Sequence, residues 1–315
     1  MVEDKSVCAV IVTFNRKELL KRCIDHILLQ TYKVKKLIVI DNHSTDGSEQ
    51  YISHTLGDFI ASFGIEFCWK RLDENLGGAG GFSKGVEEFM HSECDLIWLM
   101  DDDGFPDFNC LNLLVKAAKD NAFIGPIVLS ESDKESLSFP VRISSSLKVI
   151  DKLADLGTDW KKCVLKGVVL PFNGTLISRQ VVESVGLPEP KYFIWGDEVD
   201  YTERARRTGA DISTICAALY FHPKVDNLGR SMFFGLLRFN DPSNELKLYC
   251  YCRNNFVNKK KYNGILYAIM FACKAFWYCC FTRPSLGNFK IALLATIHGI
   301  KGDFSKHTIF LEKRR

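Results

Sequence analysis

The residues from Leu96 to Gly104 read Leu-Ile-Trp-Leu-Met-Asp-Asp-Asp-Gly. An apolar run passes directly into three carboxylates. The run is too short for a globular helix and has the length of a buried strand. Its acids therefore stand at the carboxyl end of a strand, where ligands bind in open α/β sheets. In an extended chain residues two apart project to the same side, so Asp101 and Asp103 can share one ligand while Asp102 points elsewhere. Adjacent carboxylates repel one another, and the partner expected to offset them is a hard divalent ion, Mg²⁺ or Mn²⁺, held by carboxylates and substrate phosphates. A solvated acidic turn is the competing reading, and the triplet alone does not separate the two.

The chain around this stretch alternates in the way a βαβ fold requires. Val7 to Thr13 is a buried strand, Lys17 to Gln30 an amphipathic helix with Leu20, Cys23, Ile24, Ile27 and Leu28 on one face, and Lys36 to Ile40 a second strand. Asp41 follows it in the polar loop Asp41 to Ser48. An acid there can accept hydrogen bonds from a ribose or a base edge, or form an Asx turn or helix cap. Ile65 to Arg71 is a third strand, and Asn75-Leu-Gly-Gly-Ala-Gly-Gly-Phe82 leads to a helix expected over Ser83 to His91. Glycines before a helix let backbone N–H groups approach an anion closely. Their spacing matches neither the P-loop nor the dinucleotide fingerprint. A further helix is expected over Phe108 to Lys119 and a strand over Ile124 to Leu129. Ser130 to Trp160, with Ser144-Ser145-Ser146, reads as an irregular insertion or lid. Val168 to Ser178 reads as a strand with a tight bend, and Val181 to Val185 as a helix stopped by Gly186.

Two late motifs can carry chemistry. Tyr192-Phe-Ile-Trp-Gly-Asp-Glu198 opens a helix that runs to Thr208 and stops at Gly209. Asp200 with Arg204 and Glu203 with Arg207 have the spacing of helical ion pairs. Asp197 and Glu198 either complement the helix dipole or supply a general base for an acceptor hydroxyl. Asp211 to Phe221 is a strand ending at His222, which is a structural histidine or a metal ligand.

The formal net charge of +3 is uneven: from Asp226 onward there are 15 Lys+Arg against 5 Asp+Glu, while the preceding residues hold 26 against 33. Helices are expected over Asn244 to Tyr262, Gly264 to Phe281 and Leu286 to Ile300, with Lys259-Lys260-Lys261 and a Lys313-Arg314-Arg315 tail. Lys274 in the middle of the apolar run argues against a membrane span. Aromatic residues among lysines suit a helix lying on an anionic membrane surface, or a helical cap with a solvated face. Nucleic acid is a poor partner, because the acidic part would repel phosphates. The 12 cysteines lack paired C-x-x-C spacing and several lie in apolar runs, so free thiols in a reducing cytosol are expected. The start, Met-Val-Glu-Asp-Lys, carries no apolar signal segment.

Together these motifs resemble glycosyltransferase family 2, with its GT-A fold. The resemblance rests, in order, on Val7–Arg16, Ile40–Gly47, Asn75–Phe82, Asp101–Asp103, Gly196–Tyr201 and His222. It implies a Rossmann-like, mixed, mostly parallel sheet flanked by helices over residues 1–225 and a basic, aromatic-rich helical region over 226–315. It further implies that Thr13, Asn15, Arg16 and Asp41 hold the nucleotide, with Asn75, Gly77, Gly78 and Asp102 completing the donor site. Asp101, Asp103 and His222 would hold Mn²⁺ or Mg²⁺, and Trp195 would line the acceptor. In that family the base is the second acid of a Glu-Asp pair. The order here is Asp197-Glu198, so position favours Glu198 and residue type favours Asp197; Glu198 is the expected base. The Asn75–Phe82 string resembles galactofuranosyltransferases more than rhamnosyltransferases, and the Tyr251–Asn255 segment occurs in both.

The expected function is thus a metal-dependent, inverting transfer of galactofuranose from UDP-galactofuranose to a hydroxyl of a lipid-linked surface glycan. Its expected setting is the cytoplasmic face of the membrane, touched peripherally through the C-terminal region. The nearest rival is a rhamnosyltransferase using dTDP-rhamnose. A rival of another class is a non-catalytic glycan- or membrane-binding module on the same scaffold. Acceptor identity, linkage and oligomeric state are open at this level.

Overall fold

The computed structural model describes residues 5–142, 149–224, 229–232, 235, 237–240, 242 and 244–312. The triple serine Ser144-Ser145-Ser146, Asp226 and the Lys313-Arg314-Arg315 tail lie outside the described residues. The chain forms two compact units: Met1–Leu76, Gly81–Pro188 and Arg204–Lys224 make the first, and Gly77–Gly80, Glu189–Glu203 and Val225–Arg315 the second.

The first unit is built on strands β1 (Val7–Thr13), β2 (Lys36–Asp41), β3 (Glu66–Arg71), β4 (Leu96–Asp101), β5 (Phe105–Pro106), β6 (Ala122–Ser130), β7 (Ser136–Arg142), β8 (Val149–Lys152), β9 (Val164–Lys166), β10 (Asn173–Ser178) and β11 (Asp211–His222). The sheet's main path runs β3-β2-β1-β4-β10-β6-β11-β5. Pairing is parallel between β1 and β2, β1 and β4, β2 and β3, and β6 and β11; β10 runs antiparallel to both β4 and β6. This is the mixed, mostly parallel sheet that was expected. β1 and β6 are buried along their whole length, as strands covered on both faces must be. Helices α1 (Lys17–Leu28), α2 (Ser48–Tyr51), α3 (Gly57–Ala61), α4 (Gly77–Met90), α5 (Cys110–Ala117), α6 (Arg179–Val185) and α7 (Asp197–Arg207) connect the strands, with Gly77–Gly80 of α4 and the part of α7 up to Glu203 belonging to the second unit. α1 buries Leu20, Cys23, Ile24, Ile27 and Leu28, the face its spacing indicates.

Parallel strands end on the same side of a sheet, and register makes the coincidence tight. Thr13 lies opposite Asp41, and Val12 opposite Asp101. β11 runs parallel to β6 and delivers His222 opposite Ser130. One edge of the sheet therefore receives Thr13, Asp41, Asp101 and His222.

Two expectations need correction. The glycine-rich stretch is not a loop ahead of a helix at Ser83; helix α4 starts at Gly77. A Cβ on Gly81 or Gly85 would overlap the γ-methyls of Val12 or Val10 on β1, so these glycines let the helix lie close on the strand. The segment Ser130 to Trp160 is not irregular over its described residues: β7 and β8 pair antiparallel. Leu137, Val141 and Ile150 build a small core with Ile127, Leu129, Cys216 and Phe221. The Ser-Leu-Ser-Phe-Pro-Val alternation from Ser136 to Val141 is the strand signal that the polar composition masked.

The second unit holds α8 (Glu245–Tyr262), α9 (Ile265–Trp277), α10 (Leu286–Lys301) and α11 (Thr308–Glu312), with a hairpin of β12 (Arg230–Met232) and β13 (Leu237–Phe239). Side chains cap two of these helices: Asn244 accepts the N–H of Lys247 and Ser285 that of Asn288. Phe239, Tyr249, Cys252, Tyr278, Ala292 and Ala295 share its core.

Replacing Gly85 by Ala raises helix propensity but drives a methyl into Val10. We expect Gly85→Ala to lower stability by about 1–3 kcal/mol, read as a lower urea midpoint at unchanged slope. A higher midpoint would show that propensity dominates.

Candidate active site

The turn after β4 breaks the extended geometry, and with it the alternation expected of the three acids. Asp102 and Asp103 converge on one cation: Arg16 Nη1 donates to Asp102 Oδ1 at 3.0 Å and to Asp103 Oδ2 at 2.7 Å. Thr13 Oγ1 donates to Asp102 Oδ2 at 2.7 Å. The predicted need for positive charge is met here by Arg16, a residue expected only to hold nucleotide. Asp102 is 2% exposed. Burial pushes its carboxyl up to about 6, against the pull of Arg16 and Thr13. Burial pushes Asp103 the same way, but His222 and Arg16 outweigh it and hold that carboxyl at about 2.

His222 Nδ1 lies 2.7 Å from the Pro223 carbonyl, which can only accept, so Nδ1 carries a proton. Its Nε2 lies 3.2 Å from Asp103 Oδ1. That oxygen is buried and has no hydrogen bond. A carboxylate oxygen and an imidazole nitrogen that face each other at this distance are two donor atoms that one cation can bridge. Among the described residues no group of three or more His, Cys, Asp or Glu side chains converges as a full metal cage. Mg²⁺ and Mn²⁺ do not require one: one or two protein ligands plus water and substrate phosphates suffice. Asp103 and His222 fit that mode.

The loops after β1 and β2 interlock beside this cluster. Ser44 Oγ accepts the N–H of Asn15 at 2.9 Å, and Asp41 Oδ1 accepts the N–H of Ser44 at 2.9 Å. Asn15 Oδ1 accepts the N–H of Thr45 at 2.6 Å. Asn15 and His43 both adopt positive φ, +53° and +68°, as residues in strained functional loops do. Asp41 is fully buried; its Oδ2 has no hydrogen bond and lies 3.9 Å from Arg71 Nε. A buried acceptor left open at a strand end suits an incoming N–H or O–H donor. Asn42 Oδ1 accepts the N–H of Leu76 at 2.8 Å, tying the segment that carries Asn75 to the end of β2.

The remaining predicted residues belong to the second unit. Gly77 has φ +70°, and a Cβ there would overlap the Phe193 carbonyl. That carbonyl accepts the N–H of Ala79 at 3.1 Å. Gly78 faces open space. Trp195 is half-buried, edge-on to Tyr251. Asp197 is 4% exposed, whereas Glu198 is partly exposed and its Oε2 accepts the N–H of Gly196 at 2.6 Å. Asp200, read from spacing as a partner for Arg204, accepts from Lys261 and Tyr262, each at 2.6 Å. The sequence reading missed Ser44, Arg71, Arg253, Asn254 and Asn258. Only the Tyr251–Asn255 motif hinted at part of this set.

Comparison with known proteins follows the same lines. Residues 8–168 match the family model described as glycosyl transferase family 2. The galactofuranosyltransferase GlfT1 of Mycolicibacterium smegmatis is 33% identical over 260 residues, covering 81% of this chain and 83% of that protein. GlfT1 of Mycobacterium tuberculosis is 30% identical over 253 residues, covering 79% and 81%. Among solved structures, GalNAc-T7 with UDP, GalNAc and Mn²⁺ superposes with a TM-score of 0.58 at 15% identity, covering 95% of this chain and 55% of that one. At that identity the likeness is one of fold, and the fold is GT-A.

Thr13→Val keeps the shape of the side chain and removes the donor to buried Asp102 Oδ2. We expect it to cost about 1–3 kcal/mol, measured as a fall in urea unfolding free energy at neutral pH. An unchanged value would show that Thr13 is dispensable to the cluster.

Proposed function

The chain belongs to glycosyl transferase family 2 and is a hexosyltransferase; from that premise we propose that it moves galactofuranose from UDP-galactofuranose to a hydroxyl of a glycan or glycolipid acceptor, with inversion and with Mn²⁺ or Mg²⁺. The observation that carries the metal and diphosphate part is Asp103 Oδ1, buried without a hydrogen bond and facing His222 Nε2. The sugar is supported by galactofuranosyltransferase relatives that align over about four-fifths of the chain.

Asp103 and His222 would hold the cation, with Asp101 as the family resemblance implies. When bound, it supplies Lewis-acid stabilisation to the departing diphosphate. Asp41 would accept from the uracil or ribose through its open Oδ2, and Arg16 would steady the donor's charge while keeping Asp102 and Asp103 in place. Asn15, Asn75, Gly77 and Gly78 complete the donor side of this reading, and Trp195 the acceptor side. Glu198 takes the proton from the acceptor hydroxyl, whose oxygen attacks the anomeric carbon opposite the leaving group. One displacement inverts that carbon and needs no covalent enzyme intermediate. Glu198 is preferred to Asp197 because it is the more exposed of the two and its Oε1 has no hydrogen bond among the described residues.

The C-terminal region fits contact with an anionic membrane surface, which suits a lipid-linked acceptor. Ile265, Leu266, Ile269, Met270, Trp277 and Phe281 form an exposed stripe along α9 and the turn after it. Ile265–Thr282 is long and apolar enough to span a membrane by length and composition. Ala268, Phe271, Ala272 and Ala275 of the same helix are buried, however, and Lys274 interrupts the run, so a helix lying on the surface is the better reading.

Glu198→Gln should lower transfer by about 10²–10⁴-fold while nucleotide binding with Mn²⁺, followed by calorimetry, stays within about two-fold. Asp103→Ala should abolish transfer and weaken that binding. Normal turnover by Glu198→Gln would remove the base assignment. A donor panel in which dTDP-rhamnose outperforms UDP-galactofuranose would replace the sugar. For the membrane, wild-type protein should pellet with anionic liposomes and release in high salt. The Leu266→Glu/Met270→Glu double variant should stay in solution; equal pelleting would exclude the α9 stripe.

A further inference from the structure

The segment that introduces Glu198 is held in an unusual backbone. Phe193, Trp195 and Gly196 have φ of +66°, +59° and +94°. Bulky residues in the left-handed region persist only where their surroundings over-determine them. Here the surroundings are one face of α8. Asn254 spreads its side-chain N–H groups over three carbonyls: Tyr192 at 3.1 Å, Ile194 at 3.0 Å and Trp195 at 2.5 Å. Four residues on, Asn258 Nδ2 donates to the Gly196 carbonyl at 2.7 Å. Arg253 Nε donates to Asn254 Oδ1 at 2.9 Å, which fixes the amide's orientation, and its Nη2 donates to the Tyr192 carbonyl at 2.9 Å. A Cβ on Gly196 would come within 2.9 Å of Asn254 Cβ, so the clamp closes tightly on that residue.

Arg253 and Asn254 are fully buried. Among the described residues no carboxylate pairs with Arg253; its guanidinium is spent on carbonyls of Tyr192 and Phe304 and on Asn254. A buried charge without a counter-charge is a poor stabilising device, which argues that this one is kept for geometry. The geometry it fixes reaches two places. Gly196 presents its N–H to Glu198 Oε2 at 2.6 Å, and Phe193 presents its carbonyl to Ala79 N–H beside Gly77.

We propose that Asn254, with Arg253 and Asn258, is a positioning residue for the base: it holds the left-handed Phe193–Gly196 turn that aims the carboxylate of Glu198 and fixes the first turn of α4. This rests on the assignment of Glu198 as base. A carboxylate displaced by an ångström loses transfer rate of the order of 10²-fold while leaving nucleotide binding alone.

The test is a double-mutant cycle between Asn254→Ala and Glu198→Gln, with transfer kinetics and nucleotide–Mn²⁺ affinity measured for each protein. Asn254→Ala should lower kcat by about 30-fold or more, with KM for the donor and nucleotide affinity within about two-fold. In the Glu198→Gln background the same substitution should cost less than about two-fold, because the group it positions is already disabled. Equal losses in both backgrounds, or an unchanged kcat in the single variant, would overturn the proposal. If Asn254→Ala fails to fold, Asn258→Ser, which removes the bond to the Gly196 carbonyl and the acceptor of the Tyr192 O–H while leaving Asn254 in place, is put through the same cycle with the same criteria. Full turnover by Glu198→Gln would instead overturn the base assignment itself; an inactive Glu198→Gln beside a fully active Asn254→Ala removes only the positioning role.

Discussion

The two hydrogen bonds from Arg16 to Asp102 and Asp103 are the interaction on which the first unit's site depends. Parallel strands bring their carboxyl ends to a common edge, and in this chain that edge is acidic: Asp41 closes β2, Asp101 closes β4, and two more acids follow in the turn. Burial raises the free energy of the ionised Asp102 and Asp103 carboxylates. Arg16 comes from the loop after β1, the strand whose register sets Val12 beside Asp101. It reaches back over the strand ends and lets Asp102 stay in the interior. With Asp102 fixed, Asp103 is left with one oxygen on Arg16 and the other toward His222. The acidic edge thereby presents Asp103 Oδ1 to His222 Nε2 at 3.2 Å.

The second unit solves a different problem by comparable means. Its carboxylates stand at the start of α7, where the helix dipole already favours negative charge. What requires effort is the turn before them. Phe193 and Trp195 lack the glycine's freedom at positive φ, so the turn would relax if nothing held its carbonyls. Hydrogen bonds hold it, and apolar packing could not do the same: a carbonyl direction is fixed by a donor, whereas packing fixes only volume. Asn254 and Asn258 sit one helical turn apart on α8, which is the spacing needed for two amides to reach successive peptide groups of one bend.

Much of the fold can be read from pattern. The apolar run Val7–Thr13 coincides with β1, and Leu96–Met100 with all but the last residue of β4, because strands buried on both faces leave uninterrupted apolar runs. α1 follows from five apolar residues on one face. The β7–β8 pair was hidden by its serines, since a strand at the edge of the sheet needs apolar residues on one side only. The start of α4 was hidden by glycine, whose low helix propensity argues against a helix and says nothing of the close approach to Val10 and Val12. Of the candidate site, residue types at strand ends and at a helix start were legible. Arg16 is legible as a residue near the nucleotide, but its partners Asp102 and Asp103 are not.

Which side chains carry charge, and that they stand at strand ends and at the opening of a helix, was determined by the sequence alone, because local hydrophobic pattern dictates where an element stops and what residue stands there. Which of those groups touch was decided only by tertiary structure. The pairing of Arg16 with Asp102 and Asp103 spans more than eighty residues, and that of Asn254 with Tyr192 and Trp195 about sixty. Contacts of that range depend on strand order, register and helix placement. These are properties of the whole packed core, and no local stretch of sequence encodes them.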